Sequence, residues 1–249
     1  MSKTERYRET LRALGNWDAF LLEESGLPGR RANIELARAV AEEGQEQLFC
    51  RYLLFDAAKA PTGSPHEFLP FCSVLGLGRL LAEGKMEVLV TLRRCASDPR
   101  WRIREAVAMA LQRLGAVDMD RLLQEMEEWS QGNLLERRAA AAALCEPSLL
   151  KEGKQVREVL KILDRITASV PMVEDRKSDE FKALRKGLGY CWSVAVAAGP
   201  EEGKKVMEKW LSSDDKDVLW IMKENLRKKR LARMDAAWVE EWKARLGVR

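Results

Sequence analysis

The residues best able to bind another molecule form a basic run near the end of the chain. The stretch KENLRKKRLAR, from Lys223 to Arg233, holds six basic residues against a single glutamate. If this run is helical, Lys223, Arg227 and Arg230 share one face of the helix. Such a stripe of cations neutralises the phosphates of a nucleic acid. The alternative is a solvated helix whose C-terminal cations interact favourably with the helix dipole.

A second basic set has two parts, one in DPRWRIRE and one in NLLERRAA. Its arginines are Arg100, Arg102, Arg104, Arg137 and Arg138. Guanidinium groups bind phosphate or carboxylate through paired hydrogen bonds, so these arginines are candidate anion-binding residues. The neighbouring acids Asp98, Glu105 and Glu136 favour the opposite interpretation, in which the arginines form structural salt bridges.

Eight tryptophans is a high number for 249 residues, and most are expected to pack in the core or between helices. Two of them stand beside basic residues, since Trp101 follows Arg100 and Trp220 precedes the basic run. In proteins that bind single strands, aromatic rings stack on bases while cations hold the backbone. Trp101 and Trp220 are therefore candidate stacking residues.

Few residues are suited to catalysis or to metal binding. The only histidine, His66, lies in the loop SPHEFLP between two prolines, which makes a His-based metal site or a Ser-His-Asp triad a poor fit. The five cysteines are widely spaced and lack a C-x-x-C, so we expect buried structural thiols in a reducing compartment. They are Cys50, Cys72, Cys95, Cys145 and Cys191. We assign no catalytic residue, and we expect no metal and no cofactor.

The overall charge is only mildly basic, +4 from 43 basic and 39 acidic residues, so anion binding must come from local clusters. No apolar run approaches the roughly 20 residues that a membrane helix needs. The N-terminal MSKTERYRET lacks the apolar region of a signal peptide. We therefore expect a cytoplasmic protein with no membrane partner.

The elements that position these side chains are predicted to be helices. Apolar residues recur three and four positions apart between short Gly, Pro or Asp-Ser breaks, and strand patterns are almost absent. The predicted helices are 3–14, 17–24, 31–43, 45–58, 66–82, 85–97, 100–114, 119–130, 134–145, 154–169, 178–198, 200–211, 216–230 and 235–246. The G-x-G in GLGRLL, Gly76 to Leu81, follows no strand and indicates tight helix packing rather than a nucleotide site.

One stretch, SDPRWRIREAVAMALQRLG from Ser97 to Gly115, has the layout of half a helical hairpin. Asp98-Pro99 ends one helix and begins the next, because aspartate accepts first-turn N–H groups and proline lacks an N–H there. Alanines and leucines then form one apolar face, and Leu114-Gly115 is predicted to stop the helix. A similar layout recurs over 119–145 and, more diverged, over 200–230. Such hairpins cannot bury their apolar faces alone, so stacking is expected.

The pattern Asp-Pro-x-Trp-x-Ile-Arg-x-Ala…Ala-Leu…Leu-Gly, Asp98 to Gly115, resembles the second half of a HEAT or HEAT-like repeat. The resemblance implies an all-α chain that forms an α-solenoid, a right-handed superhelix of about six or seven helical hairpins. It implies a single continuous domain over 1–249. The clearest repeats are 85–115, 119–145 and 200–230. In such arrays the second helices line the concave face, where the arginines of the second basic set would form a ladder.

From this resemblance we expect a non-catalytic binding or scaffold protein whose concave face holds a macromolecular partner. The partner is either the backbone of DNA or RNA or an acidic protein surface. The alternative is a DNA repair enzyme that resembles the alkylpurine DNA glycosylases built on HEAT-like repeats, which use tryptophans and an aspartate backed by arginines. Trp210 with Asp214, and Trp17 with Asp18, offer those residue types, but neither aspartate maps onto the family's catalytic position. A relative of the phycobilin lyases is disfavoured, because no chromophore site is evident.

Overall fold

The computed structural model describes residues 1–248, and every regular element in this range is a helix. The all-α prediction is therefore confirmed. Backbone contacts divide the chain into two compact units, one covering Met1–Val117 and the other beginning at Asp118. Within the described range, no helix combines the length and the apolar character needed to cross a membrane.

The first unit contains seven α-helices and a short 3-10 segment at Pro65–Glu67. The helices are α1 (Lys3–Ala13), α2 (Asp18–Glu23), α3 (Ile34–Glu43), α4 (Glu46–Leu53), α5 (Phe68–Ala82), α6 (Val88–Ala96) and α7 (Trp101–Val117). Helix α5 is buried along almost its whole length and packs against α3, α4 and α7. It therefore forms the centre of the core of this unit.

The glycines of GLGRLL lie where α5 meets its neighbours. A Cβ atom added to Gly76 would lie 2.2 Å from the ring of Phe49 in α4, and one added to Gly78 would lie 2.5 Å from the Cα atom of Ala110 in α7. Because these distances are far below van der Waals contact, a residue without a Cβ is needed for α4 and α7 to approach α5 this closely. The interpretation of this motif as helix packing is confirmed.

The described part of the second unit, residues 118–248, contains eight α-helices and a 3-10 segment at Val170–Met172. The helices are α8 (Met119–Trp129), α9 (Leu134–Leu144), α10 (Gly153–Ala168), α11 (Asp179–Ala198), α12 (Pro200–Leu211), α13 (Lys216–Leu226), α14 (Lys229–Met234) and α15 (Ala236–Leu246). Consecutive helices pair as α8 with α9, α10 with α11, and α12 with α13. The second members also contact one another in the order α9, α11, α13, and the first members in the order α8, α10, α12. These six helices therefore form two layers, with α11 in the middle of one layer.

Many helices begin after a polar residue of the kind expected at an N-cap. These residues accept a hydrogen bond from a first-turn backbone N–H that the helix itself leaves unpaired. They include Asn33, Asp118, Asn133, Ser178 and Asp235. At the start of α7, Oδ1 of Asp98 accepts from the backbone N–H of Arg100 at 2.8 Å, which confirms the predicted role of this aspartate.

Several helix boundaries differ from the prediction. Helix α4, predicted to run to residue 58, ends at Leu53. Helix α7 does not stop at Gly115 but continues to Val117, because Gly115 is buried within the helix and the next cap is Asp118. The segment 216–230, predicted as one helix, divides into α13 and α14. The break accompanies the packing of both α13 and α14 on α11.

Four of the five cysteines are buried, as expected. Burial raises the pKa of the Cys95 thiol to about 11, and it raises the pKa values of Cys72 and Cys145 well above the ordinary range. The prediction of a buried thiol is wrong for Cys50, which is exposed. Helix α4 turns its buried face, which carries Phe49, toward the core and leaves Cys50 outside.

Candidate nucleic-acid interface

The basic run is a junction between two helices rather than one helix. Lys223 lies in the last turn of α13, Arg227 caps that helix, and Arg230 lies in α14. The expectation that Lys223, Arg227 and Arg230 share one helical face is therefore wrong. The chain changes direction at Lys228, whose backbone is extended with φ −80° and ψ 122°.

A buried asparagine fixes this junction to α11. Asn225 has no exposed surface, and its Oδ1 accepts from the backbone N–H of Ser193 at 2.7 Å. Its Nδ2 donates to the carbonyls of Leu188 and Ile221 at 2.9 and 2.8 Å. Helix α14 also packs on α11, and its Leu231 is fully buried. The break after α13 is therefore stabilised because it buries Leu231 and brings the basic run against α11.

A cavity of about 710 Å³ lies beside the junction, and we call it the basic cavity. Its cationic lining comes from one segment, 227–233, and its aliphatic lining comes from the segment after α9 and from the end of α11. The lining residues are Arg227, Lys228, Lys229, Arg230 and Arg233, together with Pro147, Leu150, Val194, Ala197 and Ala198. None of the lining residues is acidic. The volume lies within the range of small-molecule sites.

Two of the five cations are held by neighbouring side chains. The guanidinium of Arg230 lies 4.6 Å from the ring centroid of Tyr190, and its Nη2 donates to the Tyr190 hydroxyl at 2.5 Å. Tyr190 is 44% exposed, so this stacked pair is accessible to solvent. Arg227 forms an ion pair with Glu224. The Arg230–Tyr190 pair therefore offers a cation and an aromatic ring together at the cavity.

The other three cations of the cavity have no direct counter-charge among residues 1–248. The side chains of Lys228, Lys229 and Arg233 form no hydrogen bond or salt bridge with another described residue. Cations that are concentrated in one place and not neutralised by an ion pair raise the local concentration of anions. The basic cavity is therefore the candidate site for an anionic ligand.

Helix α9 places two further predicted arginines beside α11. Arg137 and Arg138 are half-buried, and the Nε atom of Arg137 is buried with no hydrogen-bond partner. A Cβ atom added to Gly187 of α11 would lie 3.3 Å from Cγ of Arg138. Arg138 and Arg230 therefore contact the same helix at Gly187 and Tyr190, three residues apart.

The candidate stacking residue Trp220 packs against α11 from α13. A Cβ atom added to Gly189 would lie 3.3 Å from the Trp220 ring. Arg185 stacks on this ring at 4.5 Å and donates to Asp217 at 2.5 Å. Nothing in the sequence singles out Arg185 or Tyr190, because their partners lie 32 and 40 positions away along the chain.

In the first unit, the predicted arginines hold a turn together. Arg100 is only 4% exposed and donates to the carboxylate of Asp98 and to three backbone carbonyls. Arg104 donates to the carbonyl of Asp98 at 2.6 Å. Arg100 and Arg104 therefore have a structural role, which was the alternative to anion binding. Trp101 is 46% exposed, and Arg102 stacks on its ring at 4.5 Å.

The two tryptophan–aspartate pairs considered for base excision have other contacts. The indole of Trp210 donates to Asp164 at 2.8 Å, while Asp214 is exposed in the turn before α13. Asp18 accepts hydrogen bonds from an arginine and a tyrosine of α4. Trp210 is therefore bound to a different carboxylate, and Asp18 is neutralised within the first unit.

Among the described residues, no group of three or more His, Cys, Asp or Glu side chains is placed to bind a metal ion. Comparison of the chain with models of protein families, with curated proteins and with solved structures finds no match.

Proposed function

We propose that this protein is a non-catalytic binding module of HEAT-like helical hairpins and that its second unit binds the phosphate backbone of a nucleic acid. The observation that carries the proposal is the basic cavity, which five cations line and no acidic residue lines. In this role the protein holds its partner and does not change it chemically.

The pairing of helices in the second unit supports the repeat architecture. Hairpins that stack on one another place their first helices in one layer and their second helices in another. The contacts from α8 to α13 follow this order. The α-solenoid of about six or seven hairpins, expected from the sequence pattern, is our proposal for the chain as a whole.

Phosphate is favoured over other anions by the mixture of cations in the cavity. Arginine binds a phosphate group through two parallel hydrogen bonds, and lysine adds a mobile point charge. The Arg230–Tyr190 pair and the Arg185–Trp220 pair add aromatic rings on the same helix layer. Rings beside cations suit a strand whose bases stack while its phosphates are neutralised. An acidic protein surface would use the cations and leave the rings without a role.

The test is binding of a fluorescently labelled single strand and of its duplex, measured by anisotropy at several salt concentrations. We expect an affinity that falls steeply with salt, because bound cations release counterions from the phosphates. The variant Lys228→Gln, Lys229→Gln, Arg233→Gln should bind about tenfold more weakly and lower the salt slope by about one for each phosphate contact removed.

The control variant Lys151→Gln, Lys154→Gln, Lys205→Gln removes the same charge from exposed positions outside the basic cavity. It should retain most of the wild-type affinity. Equal binding by the two variants, or no binding of nucleic acid even at low salt, would overturn the proposal. Binding of polyglutamate in place of nucleic acid would transfer the site to an acidic protein partner and would also overturn it.

The repair enzyme is the alternative, and no contact in the described residues favours it, since Trp210 donates to Asp164. Its signature is release of a methylated base from alkylated DNA. We expect no release above the background of the DNA alone. Release that is lost in an Asp214→Asn variant would replace the binding module with the enzyme.

A further inference from the structure

The basic cavity combines a cationic lining with an aliphatic lining, and a continuous phosphate backbone needs only the first. We propose, on the basis of the nucleic-acid function proposed above, that the cavity accepts the end of a strand that carries a terminal phosphate monoester. The phosphate lies against segment 227–233, and the adjoining nucleoside lies on the aliphatic residues. A 5′ phosphorylated end and a 3′ phosphorylated end both carry a phosphate monoester, and the test distinguishes these two ends.

The charge of the cavity supports a monoester over an internal phosphodiester. Each internal phosphate carries one negative charge, whereas a monoester carries about −1.5 to −2 at pH 7. Five cations line this cavity without an acidic lining residue, and four of them form no ion pair with a described residue. This concentration of charge exceeds what a single diester neutralises.

The aliphatic lining supports a ligand that ends in the cavity. Ala197 and Ala198 are the last two residues of α11, and Pro147 and Leu150 belong to the connection between α9 and α10. These side chains offer no hydrogen bond to a second phosphate and instead form an apolar surface. A nucleoside supplies such a surface, because every base has an apolar face.

One cation is prepared to hold the ligand. The stacking of Arg230 on Tyr190 and its hydrogen bond to the Tyr190 hydroxyl restrict the guanidinium. A restricted guanidinium loses little conformational entropy when it binds a phosphate. Lys228 and Lys229 have no partner among the described residues, so their side chains can adjust to a 5′ or to a 3′ phosphate.

The test compares four oligonucleotides of one sequence with full-length protein at fixed ionic strength: 5′-phosphorylated, 3′-phosphorylated, doubly phosphorylated and unphosphorylated. We expect one phosphorylated end to bind about tenfold more tightly than the unphosphorylated strand, the effect of a few charge-assisted hydrogen bonds. The end that gives the gain identifies the source of the monoester. Equal affinity for all four strands would overturn this inference while leaving the nucleic-acid function intact. Absence of binding to every strand would overturn the function itself.

The pH dependence gives a second readout. The second pKa of a phosphate monoester is about 6. Below it the terminal group carries one charge, like a diester, so the preference for the phosphorylated end should shrink as the pH falls from 7.5 to 5. A preference that is unchanged over this range would show that the terminal charge is not what the cavity recognises and would count against the inference.

A variant that fills the aliphatic part of the cavity gives a third readout. Ala198 is exposed and lines the cavity, so Ala198→Phe should occupy its aliphatic part while all five cations remain. We expect this variant to lose the preference for the phosphorylated end, with unchanged circular dichroism. Ala198→Ser is the matched control and should keep the preference. A preference that survives in Ala198→Phe would overturn the placement of the strand end in this cavity.

Discussion

Glu67 has no exposed surface, and its ion-pair partner Arg102 lies 3.0 Å away. The other carboxylate oxygen of Glu67, Nε of Arg102 and Oγ of Ser64 are buried without a hydrogen-bond partner. Two charges have therefore been removed from water with incomplete compensation, and each depends on the other. This pair joins the 3-10 segment to α7 and makes the first unit sensitive to the loss of either charge.

We expect Arg102→Met to destabilise the protein by about 3–5 kcal/mol, because it leaves the carboxylate of Glu67 buried without a counter-charge. Urea unfolding followed by circular dichroism measures the change. The double variant Glu67→Leu, Arg102→Met should recover part of the loss, since no unpaired charge remains. In the matched control, Arg113→Met breaks a more exposed pair with Glu42 and should cost about 1 kcal/mol or less. A loss in the control equal to that in Arg102→Met would contradict this account.

The helices themselves were largely predictable, because their signals are local. Caps such as Asp118 and Asn133, and apolar residues at helical spacing, act within a few positions. The break between α13 and α14 was not predictable. It depends on Asn225, whose partners Ser193 and Leu188 lie 32 and 37 positions earlier. The sequence carries no local sign that the basic run must leave its helix there.

Close packing of α5 on α7 reverses the usual effect of an alanine at a helical glycine. In an open helix Gly→Ala stabilises by about 0.5–1 kcal/mol. We expect Gly78→Ala to destabilise instead by about 1–3 kcal/mol, because the added Cβ would lie 2.5 Å from the backbone of Ala110. Thermal unfolding measures whether each variant is stabilised or destabilised. Gly153→Ala is the control, since the nearest atom to its Cβ would be 3.9 Å away, and it should be neutral or stabilising. A stabilised Gly78→Ala variant would show that the two helices are not packed this tightly.

Each of the two compact units has its own buried core, centred on α5 in the first and on α11 in the second. The site in the second unit was only half predictable from the sequence. The six basic residues of the run can be identified from the sequence, and Arg227 and Arg230 do line the cavity. The aliphatic residues and Tyr190 are visible only in three dimensions, because α9, α11 and α14 bring distant parts of the chain together.

The repeat architecture proposed above implies mainly local stability, because each hairpin contacts its neighbours. We therefore expect residues 118–249, expressed alone, to be helical, to unfold cooperatively and to bind the same strands as the full chain. Circular dichroism with urea unfolding, followed by the anisotropy titration, measures all three. A fragment that is unfolded, or folded but unable to bind, would show that the first unit contributes to the stability or to the binding of the second.

The cationic lining of the cavity comes from seven consecutive positions, 227–233, whereas the aliphatic lining comes from two other parts of the chain. The charge of the basic cavity and its shape are therefore encoded in separate parts of the gene. A few codon changes in one short stretch would therefore remove the cations and leave the aliphatic lining and the hydrogen bonds of Asn225 in place.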